Sequence, residues 1–153
     1  MSRIDLGDCA PELTLTTQSG EQISLAQYRG KNAVVLFFYP KDGSPVCTKE
    51  ACAFRDSYEE FVEAGAVVIG VSGDSADRHQ VFAANHRLPF VLVSDTDGLA
   101  RRAFGVPKSM GLLPGRVTYV IDSEGIVRHL FSSQFAADRH VKEALDVIRQ
   151  LNG

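Results

Sequence analysis

Ala33-Val34-Val35-Leu36-Phe37-Phe38-Tyr39-Pro40-Lys41-Asp42-Gly43-Ser44-Pro45-Val46-Cys47-Thr48-Lys49-Glu50-Ala51-Cys52 decides the fold. It opens on an unbroken apolar and aromatic run, which is how a strand covered on both faces of a parallel sheet reads. A loop bracketed by Pro40 and Pro45 follows, and a helix start carrying Cys47 comes next. Ala66 to Ser72 repeats the continuous pattern, so these two strands are expected in the middle of a sheet. Shorter β-rich runs place strands at Phe90 to Ser94, Val117 to Ile121 and Ile126 to Phe131. Helical segments fall between them, at about Thr48 to Ala64, Ser75 to His86, Leu99 to Phe104 and Ala137 to Leu151. Such alternation argues an α/β chain with right-handed crossovers. Asp122-Ser123-Glu124-Gly125 reads as a tight hairpin turn, and Thr17 to Glu21 as a second one, joining Glu12 to Thr16 and Gln22 to Ser24. A parallel core closed by an antiparallel hairpin and a C-terminal helix fits a thioredoxin-like fold: a central mixed sheet flanked by helices, with an N-terminal β-hairpin extension.

The bulk properties bound the rest. At 153 residues, 44% hydrophobic and 23% charged, the chain is expected to form one domain with one core. A net charge of -3 with both signs interspersed offers no basic patch or stripe for nucleic acid. The first residues hold no apolar signal region, and no run approaches the ~20 apolar residues that span a bilayer. The expectation is a cytoplasmic protein, or the mature form of an organelle protein whose targeting peptide has been removed. Three cysteines do not suit a secreted disulfide scaffold, so thiol chemistry is expected to be catalytic rather than structural.

The loop after Tyr39 is where that chemistry should sit. In open α/β sheets, ligands bind beyond the carboxyl ends of central strands, against the N-terminal N–H groups of the next helix. Helical spacing puts Cys47, Ala51, Phe54, Tyr58, Phe61 and Val62 on one core-facing stripe. Cys47 therefore begins that stripe in the first turn, where the helix dipole and free N–H groups favour an anion over a thiol. Cys52 lies about 140° round the helix, with its Cα roughly 8.7 Å from that of Cys47. That exceeds the ~7 Å limit for a disulfide, so a bond between the two would require the first turns to unwind. Against this stands the small-hydrophobe role common for buried cysteine, which suits isolated Cys9 best. A zinc site lacks the usual Cys and His spacing. No local signature ties His79, His86, His129 or His140 to Cys47, so all four are assigned helix-surface or structural roles.

Phe38 to Asp56 resembles the active-site segment of peroxiredoxins of the bacterioferritin comigratory protein or PrxQ type. Their Pro-x-x-x-Thr/Ser-x-x-Cys pattern is met by Pro40, Ser44 and Cys47. The resemblance extends through Gly7 to Pro11, Leu88 to Asp95, Phe104 to Val106 and Gly115 to Asp122. Leu113-Pro114-Gly115-Arg116 and Ser133-Gln134-Phe135 look most like the plant and cyanobacterial branch. The resemblance implies that Cys47 is the peroxidatic cysteine, which attacks the O–O bond and becomes a sulfenic acid. Cys52 would be the resolving cysteine, closing an intramolecular disulfide that thioredoxin or a similar dithiol reduces. Arg116 would flank the thiolate and the peroxide, Ser44 would hydrogen-bond either of them, and Pro40 would shield the sulfur. Glu50 matches an acidic position that orients Arg116; as a first-turn carboxylate it also suits an exposed place at the helix dipole. Hydrogen peroxide and alkyl hydroperoxides are the implied substrates, with no metal, haem or flavin cofactor and a monomer as the working form.

Two departures matter. The family commonly has Asp-Thr-Pro-Gly-Cys where this chain has Gly43-Ser44-Pro45-Val46-Cys47, so Val46 is expected to narrow access. The Gly-Gly-Leu-Gly insertion and C-terminal Tyr-Phe helix of easily overoxidised relatives are not seen, which predicts resistance to sulfinic acid formation. Two other readings use the same cysteine pair: a protein disulfide oxidoreductase, which would ordinarily carry Cys-x-x-Cys, and a redox sensor or binding protein that signals by unwinding.

Overall fold

The computed structural model describes residues 4–106, 108–109, 113–133 and 136–152. Gln134 and Phe135, part of the family resemblance, and the first three residues lie outside that set. The chain opens with an antiparallel hairpin, β1 (Thr14–Thr16) and β2 (Gln22–Ser24), followed by a 3₁₀ turn at Leu25–Tyr28. Ser24 and Gln27 close that turn with a reciprocal capping box. Then come β3 (Ala33–Phe38), α1 (Pro45–Asp56), α2 (Tyr58–Glu63), β4 (Ala66–Ser72), α3 (Ala76–His86), β5 (Val91–Ser94) and α4 (Leu99–Phe104). A short antiparallel pair, β6 (Lys108–Ser109) and β7 (Leu113–Pro114), precedes β8 (Val117–Ile121), β9 (Val127–Ser132) and α5 (Ala137–Asn152).

The central sheet has the order β5-β4-β3-β8-β9. β3 runs parallel to β4 and antiparallel to β8, so the two continuous apolar runs sit in the interior as expected. Their side chains divide between two layers. Val34, Leu36 and Phe38 join a cluster with the N-terminal hairpin and α4, while Val35, Phe37 and Tyr39 join one with α1, α2, α3 and α5. The single core expected from length is therefore two cores, one on each face, because period-2 alternation along a doubly covered strand feeds both.

Gly70 on β4 marks how tightly one face is packed. A Cβ there would lie 2.8 Å from Leu92 Cδ2 and 2.8 Å from Phe37 Cζ. The Asp122 turn matches its reading: Gly125 has φ 86°, and Asp122 Oδ1 accepts from the N–H groups of Glu124 and Ile126.

The helix expected from Thr48 to Ala64 is two helices. Ser57, with φ -102° and ψ 7°, caps α1, and its N–H turns back to the carbonyls of Ala53 and Arg55. The break rotates the stripe, so Phe61 stays buried while Val62 is 51% exposed rather than core-facing. At its other end α1 begins earlier than expected, with Pro45 in the first turn, where its fixed φ suits a helix and its missing N–H costs no hydrogen bond.

Candidate active site

Cys47 stands in the first turn of α1, directly beyond the carboxyl end of β3. Its side chain points inward and is 1% exposed. The sheet register supplies its cationic neighbour: Val117 on β8 pairs with Phe38 on β3, so Arg116 and the loop after β3 emerge side by side. Arg116 Nη2 donates to Cys47 Sγ at 3.1 Å, and Nη1 donates to Glu50 Oε1 at 2.6 Å. Glu50 follows Cys47 by one helical turn, which puts both side chains on the same face of α1.

Glu50 is fully buried, which settles the choice left open by the sequence against an exposed carboxylate. Burial pushes its carboxyl up to about 7, outweighing the opposite pull of the Arg116 charge and hydrogen bond. Glu50 Oε2 has no hydrogen-bond partner among the described residues, and His140 Nδ1 lies 3.5 Å from it. His140 Nε2–H donates to the Ser133 carbonyl at 2.8 Å, leaving Nδ1 to accept from the Thr118 hydroxyl at 2.7 Å. Burial pushes His140 down to about 4; the Ser133 carbonyl and Glu143 oppose this, while Arg116 and Arg139 add to it. The imidazole is thus neutral at pH 7.

The loop itself is pinned from below. Asp42 accepts from the Tyr39 hydroxyl through Oδ1 at 2.5 Å and meets His79 Nδ1 through Oδ2 at 2.5 Å. Its backbone N–H donates to Asp74 Oδ2, which also accepts from the Ser72 hydroxyl, each at 2.7 Å. Asp42, Asp74 and His79 form a compact buried group with ligand-type atoms, but those atoms are engaged in this network and with Arg78 and the Val93 carbonyl. A second arginine, Arg101 on α4, donates to the carbonyls of Tyr39 and Gly115.

A buried cysteine held against an arginine at a helix start is a site for thiol chemistry, and comparison with known proteins gives the family. The AhpC/TSA family model matches residues 6–130. The chain belongs to the AhpC/TSA family. Peroxiredoxin Q of Triticum aestivum, a chloroplastic protein, is 48% identical over 150 residues, covering 97% of this chain and 69% of the relative. The crystal structure of peroxidoxin BcpB from Mycobacterium tuberculosis superposes with a TM-score of 0.90 at 37% identity, over 97% of this chain and 99% of that one. Bacterioferritin comigratory protein of Xanthomonas campestris, described with alkyl peroxide reduction activity, superposes with a TM-score of 0.84 at 32% identity, over 92% of each chain. This AhpC/TSA member is a thiol-dependent peroxidase with a thioredoxin-like fold, as the resemblance implied.

Within the peroxidase, the structure brings Cys47, Arg116 and Glu50 into direct contact. Cys52 faces α3, half-buried, with its Sγ 3.8 Å from His86 Nδ1. No disulfide joins it to Cys47 in this state; both are free thiols. Ser44 is the N-cap of α1 but does not cap with its side chain, because its hydroxyl donates to the Lys41 carbonyl at 3.1 Å. Pro40 is half-buried at the start of the loop. Cys9 is exposed and bridges Ile126 only through its backbone.

Of the four histidines, His86 stays on a helix surface and the other three take the structural places also expected of them. His79 and His140 are fully buried, and His129 is on β9, paired with Glu143 at 3.0 Å. His140 shares the buried face of α5 with Ala144 and Ile148, at intervals of four, so helical spacing carried the signal for it. His79 likewise precedes buried Phe82 by three. Arg101 had no such mark, because only the meeting of α4 with the ends of β3 and β8 defines its role.

Proposed function

We propose that Cys47 is the peroxidatic cysteine and Cys52 the resolving cysteine of a single-domain peroxiredoxin that works as a monomer. The observation that carries this is the 3.1 Å approach of Arg116 Nη2 to Cys47 Sγ in the first turn of α1. A fixed guanidinium at that distance favours the thiolate and offers a donor to negative charge developing on a peroxide oxygen. The Cys47 thiolate attacks the terminal oxygen of the hydroperoxide and the O–O bond breaks. The departing alkoxide or hydroxide takes a proton to give alcohol or water, leaving Cys47 as the sulfenic acid. The Cys52 thiol then forms the S–S bond as the sulfenic oxygen leaves as water, after α1 opens enough to bring the sulfurs together. An external dithiol of the thioredoxin kind takes the two oxidising equivalents and restores both thiols.

Ser44 serves by turning its hydroxyl from the Lys41 carbonyl toward the peroxide, Pro40 by walling the sulfur, and Glu50 by fixing Arg116. Hydrogen peroxide and alkyl hydroperoxides are the substrates; the activity described for the Xanthomonas relative supports the second class. No helix of the described residues is long and apolar enough to cross a membrane. The protein works in the cytoplasm or in an organelle; the chloroplastic wheat relative supports the second.

Cys47→Ser should abolish peroxide consumption, and surviving activity would assign the nucleophile elsewhere. Cys52→Ser should retain one turnover per chain and lose thioredoxin-linked recycling. Normal steady-state turnover in that variant would move the resolving role to another thiol.

A further inference from the structure

We propose that Arg101 is a positioning residue of the peroxidase site, clamping the two backbone carbonyls that precede Pro40 and Arg116 and placing a second positive charge near Cys47. The inference rests on Cys47 being the peroxidatic thiol.

The side chain comes from α4, an element outside the active-site loop, and reaches the ends of two neighbouring strands. Nη2 donates to the Tyr39 carbonyl at 2.9 Å and Nη1 to the Gly115 carbonyl at 3.2 Å. Each carbonyl belongs to the peptide unit that leads into a residue of the site. Proline has no N–H with which to anchor itself, so the Tyr39 carbonyl is the one polar handle on the Tyr39–Pro40 peptide. The Gly115 carbonyl fixes the peptide from which Arg116 projects toward sulfur. A guanidinium fork can hold two acceptors at fixed separation, whereas an ammonium acts as a point charge on a flexible stem.

Arg101 is itself held in place. Asp95 accepts from the backbone N–H groups of Ala100 and Arg101 at 2.8 and 3.1 Å, setting the first turn of α4. The guanidinium carbon lies 5.8 Å from the centre of the Phe38 ring. Among the described residues its side chain forms no ion pair, in contrast to Arg116, whose charge is met by Glu50. Burial lowers the pKa of Arg101, while Asp95 and then the Cys47 charge raise it. The Gly115 carbonyl it holds leads directly into Arg116, whose Nη2 touches Cys47 Sγ, so the Arg101 charge stands at the same strand end as the sulfur.

The test compares Arg101→Gln and Arg101→Lys with the parent protein in two assays: stopped-flow reaction with hydrogen peroxide, and iodoacetamide alkylation of Cys47 at pH 6 and pH 9 in a Cys9→Ser/Cys52→Ser background. The pH 6 to pH 9 alkylation ratio reports the thiolate fraction and cancels changes in access, which a merely structural role would leave alone. Arg101→Gln should lower both the peroxide rate and the ratio about tenfold. Arg101→Lys should keep the ratio and lose at least about threefold in peroxide rate, because one ammonium does not hold both carbonyls. Both quantities within twofold of the parent in Arg101→Gln would overturn the proposal. If that variant does not fold, an unchanged peroxide rate in Arg101→Lys overturns the clamp. Failure of the underlying reading would show separately, as peroxide consumption surviving Cys47→Ser.

Discussion

Asp42 and His79 meet in a buried hydrogen bond that joins the active-site loop to α3. His79 Nε2 faces the Val93 carbonyl at 3.0 Å, and a carbonyl can only accept, so that nitrogen carries a hydrogen. Nδ1 meets Asp42 Oδ2 at 2.5 Å, so two buried ionisable side chains satisfy one another. Through this contact α3 holds the loop that carries Pro40 and Ser44, while Asp74 holds the Asp42 backbone from the end of β4.

Removing both partners should therefore cost less than the sum of removing each one. Asp42→Asn or His79→Gln alone should each destabilise the fold by about 3–5 kcal/mol, the range for breaking a buried charged pair. The double variant should fall short of the sum by at least about 1 kcal/mol. Urea unfolding of the four proteins measures the coupling, and strictly additive losses would contradict a direct interaction between the two side chains.

Glu50 and His140 predict opposing dependences of stability on pH. Glu50 titrates near 7 in the fold against an ordinary 4.5, so its contribution is complete below pH 4.5 and is lost as pH rises through 7. His140 titrates near 4 against an ordinary 6.5, so its contribution is present above pH 6.5 and is lost as pH falls through 4. Each is on the order of 3 kcal/mol, and between pH 4.5 and 6.5 they offset one another. Glu50→Gln removes the first and leaves the second. Its stability should drop markedly more on acidification from pH 6.5 to 4.5 than that of the parent, measured by urea midpoints across that range; parallel curves would count against it.

How far the sequence could anticipate these features depends on the kind of signal each one carries. The continuous apolar runs of β3 and β4, the turn at Asp122 and the helix start at Cys47 are local patterns, and each was legible. The break at Ser57 was not, because Tyr58 and Phe61 continue the helical spacing of Phe54 although the backbone turns at Ser57 before them. Cys47, Ser44 and Pro40 lie within one motif and could be read together. Glu50 could be paired with Arg116 only through family resemblance, since the residues are 66 positions apart in the chain. Arg101 and Asp42 act through backbone groups and buried hydrogen bonds, which no residue spacing records.

Gly70→Ala should destabilise the fold by about 1–3 kcal/mol, as overpacking does. The added Cβ would meet Phe37 and Leu92 at 2.8 Å, and Phe37 is stacked on Phe54 at a ring separation of 4.4 Å, leaving little room to yield. Because Phe54 belongs to α1, the same variant should also loosen the helix that carries Cys47. A melting temperature equal to that of the parent would show that the two rings shift freely.

The step from sulfenic acid to disulfide should be set by what holds Cys52 against α3. Arg55 Nη1 donates to the His86 carbonyl at 2.7 Å, and Cys52 Sγ lies 3.8 Å from His86 Nδ1, so one residue of α3 meets α1 at two points. An internal hydrogen bond of this kind contributes about 0.5–1.5 kcal/mol, enough to change the open population of α1 by up to about tenfold. Arg55→Ala should therefore speed disulfide formation two- to tenfold while leaving the first reaction of Cys47 with peroxide unchanged, since Arg55 lies at the far end of α1 from the sulfur. The two phases separate in stopped-flow measurements, the second being absent in Cys52→Ser. The faster variant should also resist overoxidation better, because a sulfenic acid captured sooner has less time to meet a second peroxide. A second phase that is slower, or the same, would place the barrier in unwinding the first turns of α1 rather than in its release from α3.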